Sequence, residues 1–339
     1  MITGRFKTTF LASFLSAFLT VIAFSGAQAS SGEGEEFNAS EVILHHVMDD
    51  HIWHFFDGHY GTLYLPVIVY SGEHGLEIFS SANFYDDHHN VVSYSHYVLD
   101  HGHIQLADDP KAFVLDVSIT KTVLMLFINA GFLLFIFLAV SKAYKAGAKK
   151  APKGIQSLFE PIILFIRDDI AKPNIGAHYE KFLPFLLTLF FFILFGNLLG
   201  LLPGAANLTG NIAVTLVLAL FTFVITNVSG NKHYWKHIFW TPGVPLPLKF
   251  IIVPVEILGI FTKPFSLTVR LFVAITAGHI VMLALISLVF IFHSYYVGIG
   301  STIIVLFINL IELLVAAIQA YVFTMFSALY IGLATEDHH

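Results

Sequence analysis

The stretch IIVPVEILGIFTKPFSLTVRLFVAITAGHIVMLALISLVFIF, residues 251–292, decides the fold. It is apolar almost throughout, yet it carries Glu256, Arg270 and His279. As a helix rising about 1.5 Å per residue it is ~63 Å long, roughly twice the ~30 Å hydrocarbon core of a bilayer. Such a segment must bend back or lie strongly tilted, and Gly259 and Pro264 are where a kink is expected. A short break is predicted at 293–300. A second apolar segment, 303–333, then carries Glu312 and Gln319. The pair reads as a long, tilted helical hairpin at the C-terminus.

The rest of the chain fits an all-α integral membrane protein of about five membrane helices. Hydrophobic residues make up 56% and charged residues only 12%, where soluble chains carry roughly 25% charged; mean hydropathy is +0.77. Further spans are expected at 119–143, 182–202 and 212–228. Residues 155–170, with Glu160, Arg167, Asp168 and Asp169, are too charged and too short to cross and read as an interfacial helix. With no cysteine, disulfides and thiolate-held zinc or iron–sulfur centres are excluded.

Residues 1–29 read as a secretory signal: Arg5 and Lys7, an apolar run, then small residues at Ala27 and Ala29. A retained signal anchor is the alternative. Residues 30–117 form an extramembrane cap holding 15 of the 23 acids, 11 of the 18 histidines and one basic residue, Lys111. Short strands are expected within 62–70 and 91–98, and a short helix over 41–56. The membrane domain then runs over 118–339. Lys142, Lys145, Lys149, Lys150 and Lys153 mark a cytoplasmic loop, as do Lys232, Lys236 and Lys249 with Tyr234, Trp235 and Trp240 in 230–250. The mature N-terminus is therefore expected in the periplasm and the C-terminus in the cytoplasm, with the chain in a bacterial inner membrane.

Arg270, His279 and Glu312 lie deep in the last two segments. An arginine at mid-bilayer costs about 3 kcal/mol on insertion scales. A buried ion pair tying two helices together is one reason to keep it. At about 100° per residue, Glu256 and Ser266 fall ~40° to either side of Arg270 and make one polar stripe. His279 lies half a turn round and ~13 Å further on. Glu312 and Gln319, seven apart, share a face, and Gln319 also reads as a packing amide. A carboxylate, an imidazole and water can relay protons, whereas a guanidinium never deprotonates. The pattern suggests a proton path interrupted by a fixed positive charge.

These residues sit in recognisable motifs. KPFSLTVRLF at 263–272, continuing to AGH at 277–279, resembles the signature helix of subunit a of the F-type ATP synthase. NLLGLLP at 197–203 and TGNIAVT at 209–215 are similar to two further motifs of that family, in the same order, and so is the tail from Gln319 to Tyr330. The resemblance covers residues 118–339. It implies a proton-translocating stator subunit of the F0 sector that offers two half-channels to the c-ring, with Arg270 as the essential arginine between them. It implies His279 and Glu312 as the paired half-channel residues, Gln319 as the glutamine near the arginine, and Glu256, Ser266, Asn197 and Tyr330 as lesser polar positions. One departure is Ala274, where the family often has asparagine.

The implied partners are the c-ring, the b-subunit stator helices, the rest of the F1F0 complex and membrane lipid, with no nucleic acid and no cofactor. ATP chemistry belongs to other subunits, since no nucleotide fingerprint is present; His279 favours H⁺ over Na⁺. The competing reading is a His-rich metal cation transporter. On a helix His46, Asp50 and His54 would share one face, with His45, His51 and His59 close by, and imidazole and carboxylate both suit zinc; a solvated, weakly buffering surface is the plainer explanation.

Overall fold

A computed structural model of the chain describes residues 47–54, 61–86, 91–100, 102–109, 111–146, 154–202, 204–240, 245–292 and 294–336. The expected signal at 1–29 lies outside them, as do His45, His46 and His59. The chain forms two compact units. One takes in the described residues up to Met125 with Gly200–Ala206 and Leu283–Val305, the other Leu126–Leu199, Asn207–Met282 and Leu306–His339.

The first unit contains the cap, which is β-structure. Its strands are β1 (Ile52–His54), β2 (Thr62–Tyr64), β3 (Pro66–Ser71), β4 (Gly75–Ser80), β5 (Tyr97–Asp100), β6 (His103–Leu106) and β7 (Val114–Asp116). They pair as β1-β2, β4-β3-β7 and β5-β6, antiparallel throughout. Alternation along β3 turns Val67, Val69 and Ser71 inward, where Phe84, Tyr97, Ile104 and Leu106 complete the core. The short strands expected within 62–70 are present, divided at Leu65 between two sheets. Two expectations are corrected. The run 91–98 pairs as a strand only from Tyr97, because Ser95 takes a left-handed φ of 55° and Tyr94 and Tyr97 bond each other across the turn. Of the helix expected over 41–56, residues 41–46 and 55–56 lie outside the described residues, and Ile52–His54 is strand, held by register with β2, so Asp50 and His54 share no helical face.

The cap is fastened to the first membrane helix, α1 (Lys121–Ala146). Asp49 accepts from the Thr120 hydroxyl at 2.8 Å and the Thr122 amide at 3.2 Å, a remote cap for donors a helix start leaves unpaired. Trp53 donates its indole N–H to Gly204 O. His51, buried, bonds Asp116 at 3.1 Å. Burial alone would raise the Asp116 pKa, but the hydrogen bonds from His51 and Ser118 outweigh it and hold the carboxyl below its usual range. A depressed carboxylate contributes stability that is present above the unfolded value, about 3.9, and is lost as pH falls through the lower folded value. Acid titration of the cap, followed by tryptophan emission, is therefore expected to show unfolding below about pH 4, and Asp116→Asn should flatten that dependence.

The second unit holds most of α1, then α2 (Ile155–Phe165), α3 (Tyr179–Gly200), α4 (Ile212–Val228), α5 (Lys232–Phe239) and the greater part of α6 (Leu246–Phe292) and α7 (Tyr295–Thr335). Four helical runs are long and apolar enough to cross a membrane, and α4 with α5 makes a fifth, bent by 102°. That is the expected all-α membrane architecture, with several boundaries moved. Beyond α2 the helix continues through a π-helical segment, Ile166–Ala171, to Ile175, where Gly176 at φ 73° interrupts it before α3. The stretch expected to bend back or lie strongly tilted is one helix of 47 residues, unbroken at Gly259 and Pro264. Prolines are tolerated inside membrane helices because hydroxyls and neighbouring groups re-satisfy the backbone; Thr268 donates to Pro264 O at 2.9 Å. At about 70 Å, α6 must tilt steeply or reach well past the hydrocarbon. The break expected over 293–300 closes by Tyr295, since Gly298 already bonds Ser294 O.

Between helices in lipid, close packing and polar ties replace the hydrophobic drive. Phe137 of α1, Phe159 of α2 and Phe191 of α3 meet with ring centres 4.9 and 5.6 Å apart. Along α7, Ala316, Ala320, Thr324, Ala328 and Gly332 recur every four residues, all buried. This small-residue stripe lets helices approach; a Cβ on Gly332 would run into Asn174 O. Thr222 of α4 bonds Ser327 of α7 at 3.1 Å, and Asn231 ties α5 to the end of α7 at Ala334 O and Thr335 O.

Candidate functional site

The charged residues of α6 and α7 meet in two places. Arg270 is half-buried. Its guanidinium lies 4.3 Å from the centre of the Phe326 ring on α7, and its Nη2 reaches Ser266 Oγ, one turn earlier, at 3.5 Å. Among the described residues no carboxylate forms an ion pair with it. The ring face attracts the cation without neutralising it. The internal ion pair that would have made this arginine a mere tie is therefore not formed among the described residues.

The second meeting is His279 with Glu312. Both are buried, at 8% and 3% exposure, and His279 Nδ1 is 3.1 Å from Glu312 Oε1. Glu312 Oε2 is buried and has no hydrogen-bond partner among the described residues. Gly278 makes the contact possible: a Cβ there would lie 3.2 Å from Oε1 and 3.3 Å from the carboxyl carbon. Glu312, Gln319 and Phe326 follow each other at seven-residue intervals along one face of α7. Gln319 thus falls between the two meetings, half-buried, with no hydrogen bond to Arg270.

The lesser polar positions separate. Ser266 stands with Arg270. Glu256 does not: its carboxylate is 3.9 Å from His237 of α5, so the polar stripe along α6 divides. Between them Lys263 points to the rings of Tyr330, at 5.3 Å, and Tyr234, at 6.0 Å. These residues border a recess with Thr222, Thr226 and Asn227. Asn197 donates to Ala316 O at 3.2 Å and accepts from Thr209 at 2.6 Å; it ties α3 to α7 one turn beyond Glu312. Sequence reasoning gave no role to Phe326, Gly278 or Lys263. Gly278 stood inside a quoted motif, while Phe326 is one of 35 phenylalanines and carries no signal of its own.

A multi-pass helical membrane protein with an arginine that pairs with no acid among the described residues and a buried imidazole–carboxylate contact on the same two helices is a charge-handling membrane protein. Comparison with known proteins narrows this. The family model of the ATP synthase A chain matches residues 123–332, and a domain of unknown function (DUF8433) matches 42–123. "ATP synthase subunit a 2" of Chlorobaculum tepidum is 43% identical over 324 residues, 92% of this chain and 79% of that protein. "ATP synthase subunit a" of Chloroherpeton thalassium is 50% identical over 231 residues, 66% and 69% of the two chains, and its counterpart from Anaeromyxobacter sp. is 39% identical over 327 residues, 92% and 74%.

The chain belongs to the ATP synthase A chain family. Its function is that of the proton-translocating stator subunit of the F0 sector. The metal-transporter reading finds no support. Among the described residues no three His, Asp or Glu gather as ligands would.

Proposed function

We propose that Arg270 is the stator charge that faces the carboxylates of a c-ring, and that His279 and Glu312 carry protons along one of two aqueous half-channels. The observation that carries the reading is Arg270 itself, held against Phe326 and paired with no acid of its own chain among the described residues. A guanidinium left so in a low-dielectric setting attracts an ionised carboxylate from outside and holds it deprotonated. It also repels protons from a direct crossing between channels. His279 and Glu312 exchange protons through their 3.1 Å contact and through water at Glu312 Oε2. The recess around Lys263, Thr226 and Tyr330 is the candidate for the other water route. Gln319, between the two meetings, steadies the arginine's surroundings.

The chain catalyses no ATP chemistry itself. Its partners are the c-ring, the b-subunit helices, which the 155–170 surface suits, and the remaining F1F0 subunits. Residues 1–29 are removed as a signal, 30–117 form a periplasmic cap and 118–339 the membrane domain. The two family matches meet at residue 123, close to that boundary. The protein sits in a bacterial inner membrane with its C-terminus in the cytoplasm. Co-purification tests the partnership: the full chain should come out with a small hairpin protein bearing a mid-membrane carboxylate. Recovery of an intact synthase from which this chain is missing would overturn it.

A further inference from the structure

The segment between α4 and α6 carries charge that the proton path does not use. Residues 230–250 contain Lys232, Lys236 and Lys249 and no aspartate or glutamate. Helix α5 turns 102° away from α4, so where α4 crosses a membrane α5 lies along its surface. It is fixed in that attitude from its inner side. Ile238 is buried, Tyr234 donates to Asn227 Oδ1 at 3.2 Å, and Gly230 clears the space that the Tyr234 ring fills.

The opposite side of α5 is open. Lys232 and Lys236, one turn apart, are exposed, and neither forms an ion pair among the described residues. Trp235 stacks on Phe239 at 5.9 Å and 13°. Lys249 holds its ammonium 3.9 Å over the ring of Trp240, which is itself about half exposed. Next to it Leu248, Phe250 and Ile251 are exposed apolar side chains at the start of α6. Exposed ammonium groups, indole rings on the same short segment and an apolar flank are the three elements of a bilayer's headgroup boundary.

We propose that this surface is a binding site for anionic phospholipid headgroups of the leaflet it faces. The three lysines meet the phosphate charge, the two tryptophans lie at the glycerol level, and Leu248, Phe250 and Ile251 accompany the acyl chains. The commitment to anionic lipid comes from charge: a zwitterionic headgroup brings no net charge to offset three lysines in a segment without acids, whereas each lysine near an anionic surface is favoured. The site depends on the membrane placement of α4 and α6 and not on the roles proposed for Arg270, His279 or Glu312.

The test uses the tryptophans already present. The full chain is reconstituted in phosphatidylcholine vesicles with a small, equal share of either brominated phosphatidylglycerol or brominated phosphatidylcholine. The anionic quencher should dim the emission at least about twofold more than the neutral one, and the difference should shrink in high salt. A chain carrying Lys232→Gln, Lys236→Gln and Lys249→Gln should lose that preference, and the matching triple change to arginine should keep it. Equal quenching of the native chain by the two lipids overturns the proposal, as does a preference that survives the glutamine changes. The Arg270→Ala chain should retain the preference even where proton transport is gone, which separates this site from the ion path.

Discussion

Proton-driven ATP synthesis is expected to fall at least about a hundredfold when Arg270 is replaced by alanine. The guanidinium has no acid of its own chain among the described residues to lose, so the change removes a charge that acts outward. Breaking a buried charge pair by removing one partner costs about 3–5 kcal/mol, and each 1.36 kcal/mol is a factor of ten in rate. The expected loss therefore lies between roughly a hundredfold and several thousandfold. The substitution leaves the fold in place: Arg270 is half-exposed, and its one hydrogen bond, to Ser266, is long. Inside-out vesicles should show the synthase still assembled, synthesis at background and passive proton leak undiminished. Coupled synthesis at the native rate would remove Arg270 from the mechanism.

The second large effect is expected at Glu312. Glutamine keeps the volume and the hydrogen bond to His279 but cannot take up or release a proton. Positioned acid–base groups contribute roughly a hundredfold to ten-thousandfold, so proton flux in vesicles loaded with a pH-sensitive dye should drop at least tenfold with normal assembly. Gly278→Ala provides a graded version. Its new Cβ, 3.2 Å from Oε1, must displace the carboxylate by a few tenths of an ångström and lengthen the contact with His279. A several-fold loss is expected there. Unaltered flux in Glu312→Gln would show that protons travel elsewhere.

Much of the architecture was legible because lipid imposes it. Apolar runs of sufficient length can only be helices there, and the two C-terminal runs announced themselves by length alone. Boundaries were less legible. Gly298 and Gly300 look like a loop in sequence, but helical glycine costs only about 1 kcal/mol relative to alanine, which α7 absorbs while its helix begins at Tyr295. Pro264 looked like a kink and sits in an unbroken helix. The strand at Ile52–His54 was hidden because three residues carry no period, and only pairing with β2 makes them extended.

At the site, the ionisable residues stood out from the sequence by their rarity at membrane depth, and family motifs named them. What stood beside them did not. Arg270 against Phe326, Glu312 beside Gly278, and Glu256 drawn away from Arg270 towards His237 are contacts between residues 19 to 56 positions apart on different helices, as the ring and carboxylate distances record. Helical spacing predicts which residues share a face but not which partner that face meets.

By itself the sequence determined that this chain lives in a bilayer, how many times it is able to cross, and which few charges it keeps there, because transfer free energies and run lengths are local properties. Only the tertiary structure decided that His279 touches Glu312 while Arg270 is left to an aromatic ring. The reason is that those pairings are set by the small-residue stripe of α7 and the clearance at Gly278 and Gly332, which fix how closely the helices lie and in what register.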